Sequence, residues 1–266
     1  QALQRLSWFG ANSYLRRIMA PSLDNTTQNI TKIRLVNNLQ AQFMCPTETP
    51  EGQNIGIIKS LSMSSTITMQ NDSQVEIVNE IIKTFGNYDL PTNIDPLDME
   101  IYSKVFMNGN WIAVTKSPFE LYMVLKKNRE NGILDKFTTI YLDFTKKEIA
   151  IFSDGGRLIR PLLTVQENKL NMTKEVIEDV RKQVENINSR GRKDKIFDNS
   201  KGKAWNRIMD KYKNLIEYED IESSSYLMIA ETQNDLIKNG ENMTRDLKHK
   251  DINDVNRYGD YRYVKY

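Results

Sequence analysis

Val105-Phe106-Met107-Asn108-Gly109-Asn110-Trp111-Ile112-Ala113-Val114 decides the fold class. Two apolar, β-favouring runs flank Asn-Gly, the pair that most readily takes positive φ at both central residues of a type I′ turn, so the stretch reads as a β-hairpin. Immediately after it, Ser117-Pro118-Phe119-Glu120 supplies an N-cap, a first-turn proline and an N3 glutamate, and a helix is expected until Gly132. A second hairpin is expected over Thr139 to Phe152 around Lys146-Lys147, leading through Asp154-Gly155-Gly156 into a strand from Leu158 to Val165. Hairpins alternating with helices predict an α+β fold of mixed helices and short antiparallel sheets.

Working outward toward the N-terminus, Ser73-Gln74-Val75-Glu76 has capping-box spacing. Val75, Val78, Ile82 and Phe85 then recur at helical spacing until Gly86, which predicts a short amphipathic helix. Thr49 to Gly52 reads as a rigid turn, because Pro50 fixes its own φ, pushes Thr49 out of the helical region, and is followed by a glycine free to take positive φ. Residues 1 to 20 read as helical with Arg16 and Arg17 clustered, ended by Pro21, and 22 to 31 as an exposed loop of turn formers. Toward the C-terminus, helices are expected over Thr173 to Asn188 and Lys203 to Leu215, separated by a basic polar linker, with a short strand at Tyr226 to Ala230. The expected division is 1–95, 96–170 and 171–266.

The 266 residues carry 37 Lys and Arg against 35 Asp and Glu, so the chain has no global field to draw in nucleic acid or an anionic membrane, and any polyanion contact must be local. One cysteine and one histidine exclude an internal disulfide and a structural zinc site, and point to a reducing compartment. No apolar run approaches a membrane span, and the first residues hold no signal-peptide core. The missing initiator Met and the abrupt end at Tyr-Arg-Tyr-Val-Lys-Tyr suggest a piece of something longer. Asn makes up about one residue in ten, against lower ordinary usage, which an AT-rich genome would explain.

No Walker-type glycine loop, histidine-paired nucleophile or closely spaced Asp triad occurs, so the chain by itself is expected to be inactive and to bind no metal. Glu48 and Glu51 bracket the Thr-Pro turn, either as ligands within a larger site or as solvated carboxylates. Arg16, Arg17, Lys32 and Arg34 surround the exposed loop, either as separate contacts to successive phosphates or as scattered surface charge. The basic stretch Arg181 to Lys203 is diluted by Glu185, Asp194 and Asp198 and reads as a solvated linker. Cys45 reads as a small buried hydrophobe rather than a nucleophile, and His249 as surface.

Met44-Cys45-Pro46-Thr47-Glu48-Thr49-Pro50-Glu51-Gly52-Gln53 resembles the Cys-Pro-x-Glu-Thr-Pro-Glu-Gly signature of the second-largest (beta-type) subunit of multisubunit DNA-dependent RNA polymerases. Ser13-Tyr14-Leu15-Arg16-Arg17, Val105 to Trp111, Asp154 to Leu162, Leu215 to Asp220 and Leu227 to Ala230 also look like family sequence, in the family's order. The resemblance implies fork and external domains bordering the downstream edge of the active-centre cleft. It places Glu51, Gly52 and Gln53 at a tip facing the active centre, Arg34 nearby and Lys59 toward the RNA–DNA hybrid. It also implies as partners the largest subunit and other polymerase subunits, template DNA, the hybrid and nucleoside triphosphates, with Mg²⁺ held mainly by the largest subunit. Two departures stand out: no basic residue lies between Pro21 and Lys32, and Asn37 and Gln40 are amides where relatives carry histidines. With the Asn-rich composition, these look more like the polymerase of a large nucleocytoplasmic DNA virus, which would place the protein in a viral factory, host cytoplasm or virion rather than a nucleus. The rival reading is a stand-alone, non-catalytic module derived from such a polymerase.

Overall fold

The computed structural model describes residues 3–19, 31–166, 169–190, 207–208, 210–230, 232, 234–237 and 261–263. Pro21, the loop from 22 to 30, the linker beyond 190, residues 203–206 and His249 lie outside the described residues.

The central hairpin forms as its sequence dictates. Asn108 and Gly109 sit at φ 50° and 83°, joining β4 (Ser103–Met107) to β5 (Asn110–Thr115). After α3 (Pro118–Glu130), the second expected hairpin joins β6 (Thr139–Asp143) to β7 (Glu148–Phe152), with Lys147 at positive φ and the Asp143 carboxylate accepting from the Thr145 and Lys146 amides. The two hairpins merge into one four-stranded sheet in the order β5-β4-β7-β6. Its central pair, β4 and β7, is parallel, with Val105 opposite Ile149 and Met107 opposite Ile151. That pairing was not legible locally, because only the crossover through α3 brings β7 alongside β4.

Strand alternation puts Val105, Met107, Ala113, Ile140, Leu142, Ile149 and Ile151 on one face. There they meet Leu121 and Leu125 of α3 and Val78 and Ile82 of α2 (Ser73–Phe85) in a single core. Each such side chain contributes roughly 1.5–3 kcal/mol by leaving water. The helix over 73–85 appears as expected and stops at Gly86, whose φ is 74°. Its expected capping box does not form: Asp72 is the N-cap without a side-chain bond, and the Ser73 hydroxyl donates to Asn71 instead. Gln74 is buried, accepting the Asp135 amide through its side-chain oxygen.

A second sheet is organised around β8 (Leu158–Gln166). It pairs antiparallel with β3 (Thr66–Ile67), β9 (Lys169–Leu170), β10 (Ile216–Asp220) and β12 (Tyr261–Tyr263), and β12 pairs in parallel with β11 (Met228–Ala230). The expected strand at 226–230 is thus shorter, because Tyr226 is taken up by a stack on Tyr141 at 4.6 Å and a hydrogen bond to Asp143. The helix expected over 173–188 is α4 (Lys174–Arg190). Of the one expected over 203–215, residues 207–208 and 210–211 are helical and Lys213–Leu215 form a 3₁₀ turn.

The two sheets are joined by buried charge. Arg129 of α3 donates to Glu217 and, at 3.0 Å, to Glu219 on β10, and also to the Thr138 carbonyl. Lys126 lies 3.9 Å from Glu217.

The N-terminal segment is built differently. Ser7 caps α1 (Trp8–Leu15) by accepting the Gly10 amide, but the helix does not run to residue 20. At Arg16 the chain leaves the helix and becomes β1 (Arg17–Met19), antiparallel to β2 (Ile58–Ser60). The exchange is driven by Arg16, whose carbonyl accepts the Leu61 amide while its guanidinium donates to the carbonyls of Ser62 and Ser65.

Candidate functional site

The turn expected from Thr-Pro-Glu-Gly becomes a clamped loop over residues 49–56. Pro50 starts it, and Gly52 takes φ 82° at the head of a 3₁₀ turn (Gly52–Asn54). The Thr49 hydroxyl accepts the Gly56 amide at 2.9 Å and donates to the Ile58 carbonyl, so the two ends of the loop are tied through one side chain. Arg34 closes the other side, donating through Nη1 to the carbonyls of Gln53 at 2.7 Å and Ile55 at 2.8 Å. Each charge-assisted bond of this type contributes about 1.5–3 kcal/mol. The approach is tight: Gly56 has φ 71°, and a Cβ there would stand 2.5 Å from the Arg34 carbonyl oxygen.

The result is a rigid loop whose tip, Glu51, Gly52 and Gln53, is exposed. Nothing lies within 4 Å of where a Gly52 Cβ would be, so that face of the tip is open to an approaching molecule. At its base, Glu48 accepts the Ser13 hydroxyl at 2.6 Å, tying the loop to α1. The neighbouring Cys45 thiol is held below its ordinary value of 9.0 by the Thr47 hydroxyl and then by the Thr47 and Glu48 backbone amides.

The five basic residues singled out in the sequence separate into two kinds. Arg16 and Arg34 spend their guanidinium groups on backbone carbonyls within the chain. Arg17, Lys32 and Lys59 present their charge outward or along the surface. Lys32 is exposed, Arg17 is exposed with its guanidinium 4.8 Å over the Tyr14 ring, and half-buried Lys59 donates to the Gln40 side-chain oxygen at 3.3 Å. Gln40 thus keeps a hydrogen-bonding role. Arg17 pairs with Ser60 and Ile18 with Lys59, so Arg17 and Lys59 project from opposite faces of the β1–β2 ribbon. In the Arg181 to Lys203 stretch, Arg181 lies 4.0 Å from Glu185 on an exposed stretch of α4.

Sequence reading missed Arg157 and Arg160. Arg157 donates to Thr139, Asp220 and the Phe137 carbonyl and pairs with Asp154; Arg160 reaches across to Ala41 and Phe43. Both fall in the Asp154 to Leu162 block, which was noticed for its resemblance and not for its charge.

Residues 1–67 match the family described as RNA polymerase Rpb2, domain 3, and residues 105–166 the one described as RNA polymerase Rpb2, domain 4. DNA-directed RNA polymerase subunit 2 of Acanthamoeba polyphaga mimivirus is 32% identical over the whole of this chain. The chain belongs to the family of the second-largest RNA polymerase subunit. DNA-directed RNA polymerase II subunit RPB2 of Encephalitozoon cuniculi is 34% identical over 68% of the chain, and that of Meyerozyma guilliermondii 28% identical over 92%. Viral and cellular members of the family are therefore similarly close. The chain spans 21%, 15% and 20% of the lengths of these three relatives. The clamped loop lies inside the domain 3 match and the Asn-Gly hairpin inside the domain 4 match. Among the described residues no helix is long and apolar enough to cross a membrane.

Proposed function

We propose that this chain is the fork and external-domain portion of a DNA-directed RNA polymerase, shaping the downstream edge of the active-centre cleft during templated RNA synthesis. The observation that carries the reading is the loop 49–56: internally clamped on both sides, it presents Glu51, Gly52 and Gln53 outward on a fixed backbone. A tip that meets a transient substrate must hold its shape unaided, because disorder would be an entropic cost on each encounter.

In this reading nucleotidyl transfer belongs to the assembled enzyme, with the largest subunit holding Mg²⁺. Among the described residues no three His, Cys, Asp or Glu side chains converge as cation ligands. Lys32 and Arg17 are the proposed phosphate contacts, Lys59 the one nearest the hybrid, and Arg16 and Arg34 hold backbone in place. Partners are the largest and other polymerase subunits, template DNA, the RNA–DNA hybrid and nucleoside triphosphates. Of the three segments 1–95, 96–170 and 171–266, the packing of α2 against the four-stranded sheet favours a first boundary nearer residue 70.

A salt series on elongation complexes of the full polymerase tests this. Lys32→Ala is expected to lower the slope of log lifetime against log salt by about one. Arg34→Ala is expected to shorten the lifetime at every salt concentration, since it unclamps the loop without removing a phosphate contact. Unchanged lifetimes in both would overturn the proposal.

A further inference from the structure

Among the described residues before Ile58, one side chain is buried: Phe43, at 0% exposure. It is covered by Arg160, from the middle of β8, whose Cζ lies 4.8 Å from the ring centre. The same guanidinium, itself only 7% exposed, donates to the Ala41 carbonyl at 2.9 Å and reaches the Gln42 side-chain oxygen at 3.5 Å. On its other side it donates to the Ser224 hydroxyl at 3.3 Å. Ser224 lies in α5 (Ile221–Ser224), fixed by a capping box in which the Asp220 carboxylate accepts the Ser223 amide and the Ser223 hydroxyl accepts the Asp220 amide. Arg160 is therefore held from the external side and holds the fork side.

What it holds is the root of the loop 49–56. The Phe43 carbonyl accepts the Ser62 amide, Met44 bridges Leu61, and the Cys45 amide donates to the Ser60 carbonyl. Three residues before Phe43, Gln40 carries the hydrogen bond to Lys59. Arg34 from outside the loop and Thr49 from within it fix the loop's shape, and Thr49 and Glu48 tie it to Ile58 and Ser13 of the same N-terminal segment. The contact of Arg160 with Phe43 joins that segment to β8.

We infer that Arg160 is a positioning residue: by pinning Phe43 to β8 and α5 it sets the location of the loop tip 51–53, and with it nucleotide addition. The inference rests on the proposed function of that tip. Lysine cannot substitute. A planar guanidinium reaches Ala41 and Ser224 from two separate nitrogens while lying over the ring, whereas an ammonium must make every contact from a single nitrogen.

The test is positional. In the reconstituted polymerase, a photoreactive benzoylphenylalanine at position 53 is crosslinked to labelled template and RNA, and the crosslinked nucleotide is mapped. In the otherwise unaltered enzyme a single register is expected. Arg160→Lys and the milder Phe43→Leu are expected to shift or spread that register. Both should also raise the nucleotide KM about threefold to tenfold with kcat changed by less than about twofold, which marks lost placement rather than lost chemistry. Lys116→Ala, which removes an exposed ammonium 5.0 Å from the centre of the Tyr102 ring, should change neither. An unchanged register and KM in assembled variants would overturn the inference. So would failure of both variants to assemble, since Arg160 would then hold the fold and not the tip. If position 53 crosslinks to no nucleic acid even without a second substitution, the proposed function itself fails, and the inference with it.

Discussion

The N-terminal segment and the four-stranded sheet differ in what holds them. In the sheet unit, a continuous apolar core closes between strands and two helices, and ordinary burial accounts for its order. Among the described residues from 3 to 57, one aromatic is buried, while Trp8 and Phe9 are 73% and 77% exposed and Leu15, Leu35 and Val36 also face solvent. Its order comes instead from arginine and threonine side chains gripping backbone carbonyls and amides. The difference teaches that a polar clamp fixes the shape of a loop but cannot supply the free energy to fold a segment alone, since each clamp repays ordering entropy by only a small margin.

The comparison breaks most easily by cutting it. Residues 1–67 in isolation are expected to show no cooperative thermal transition by circular dichroism, whereas 68–266 retains one; a cooperative melt of the short piece would erase the distinction. Within the sheet unit, Arg129→Ala leaves buried Glu219 without its cation and Glu217 with Lys126 at 3.9 Å, and should cost roughly 3–5 kcal/mol in chemical denaturation, against about 2–5 kcal/mol for Leu121→Ala. The corresponding apolar truncation in the N-terminal segment, Leu15→Ala, should stay within about 0.5 kcal/mol, because that side chain has little burial to lose.

Two glycines sharpen the clamp side of the contrast. Gly52 and Gly56 both have positive φ, but a Cβ on Gly52 meets nothing, while one on Gly56 strikes the Arg34 backbone. Gly52→Ala should therefore cost only the conformational penalty of about 1–2 kcal/mol, and Gly56→Ala should in addition displace Arg34 from Gln53 and Ile55. Amide exchange at Ile55 and Gly56 would report the difference. A further small effect lies in the sheet unit, at Asp143. Burial acts to raise its carboxyl, but the Lys146 amide, the Tyr226 hydroxyl and the Thr145 amide together hold it below its ordinary value of 3.8. A depressed carboxyl stabilises the fold above its ordinary value and loses that contribution as pH falls below 3.8 through the folded value. Tyr226→Phe should flatten that acid-side loss, by about 1 kcal/mol or less.

Much of the fold was legible because its signals are local. Asn108-Gly109 requires positive φ twice, Pro118 and Gly132 mark the ends of α3, and the 3.6-residue recurrence of Val75, Val78, Ile82 and Phe85 marks the buried face of α2. Of the candidate site, the exposed tip at 51–53 was legible from Thr-Pro-Glu-Gly. The roles of the surrounding cations were not: Arg16 and Arg34 look like surface charge until the carbonyls they grip, 19 to 49 residues away, are folded next to them. The capping box at Ser73 misled for the complementary reason, since Asn71 competes locally for the same hydroxyl.

The sequence by itself determined the turn chemistry, the helix ends, the two hairpins, and, through the Cys-Pro-Thr-Glu-Thr-Pro-Glu-Gly run, the kinship of the chain. Only the tertiary structure decided that β4 and β7 pair in parallel, that residues 17–19 leave the helix for a strand, and that Arg160 sits over Phe43. The physical reason is range. Dihedral preferences and capping act within a few residues and are written where they act, whereas pairing partners and buried ion contacts depend on which distant groups the packed core brings within hydrogen-bonding distance.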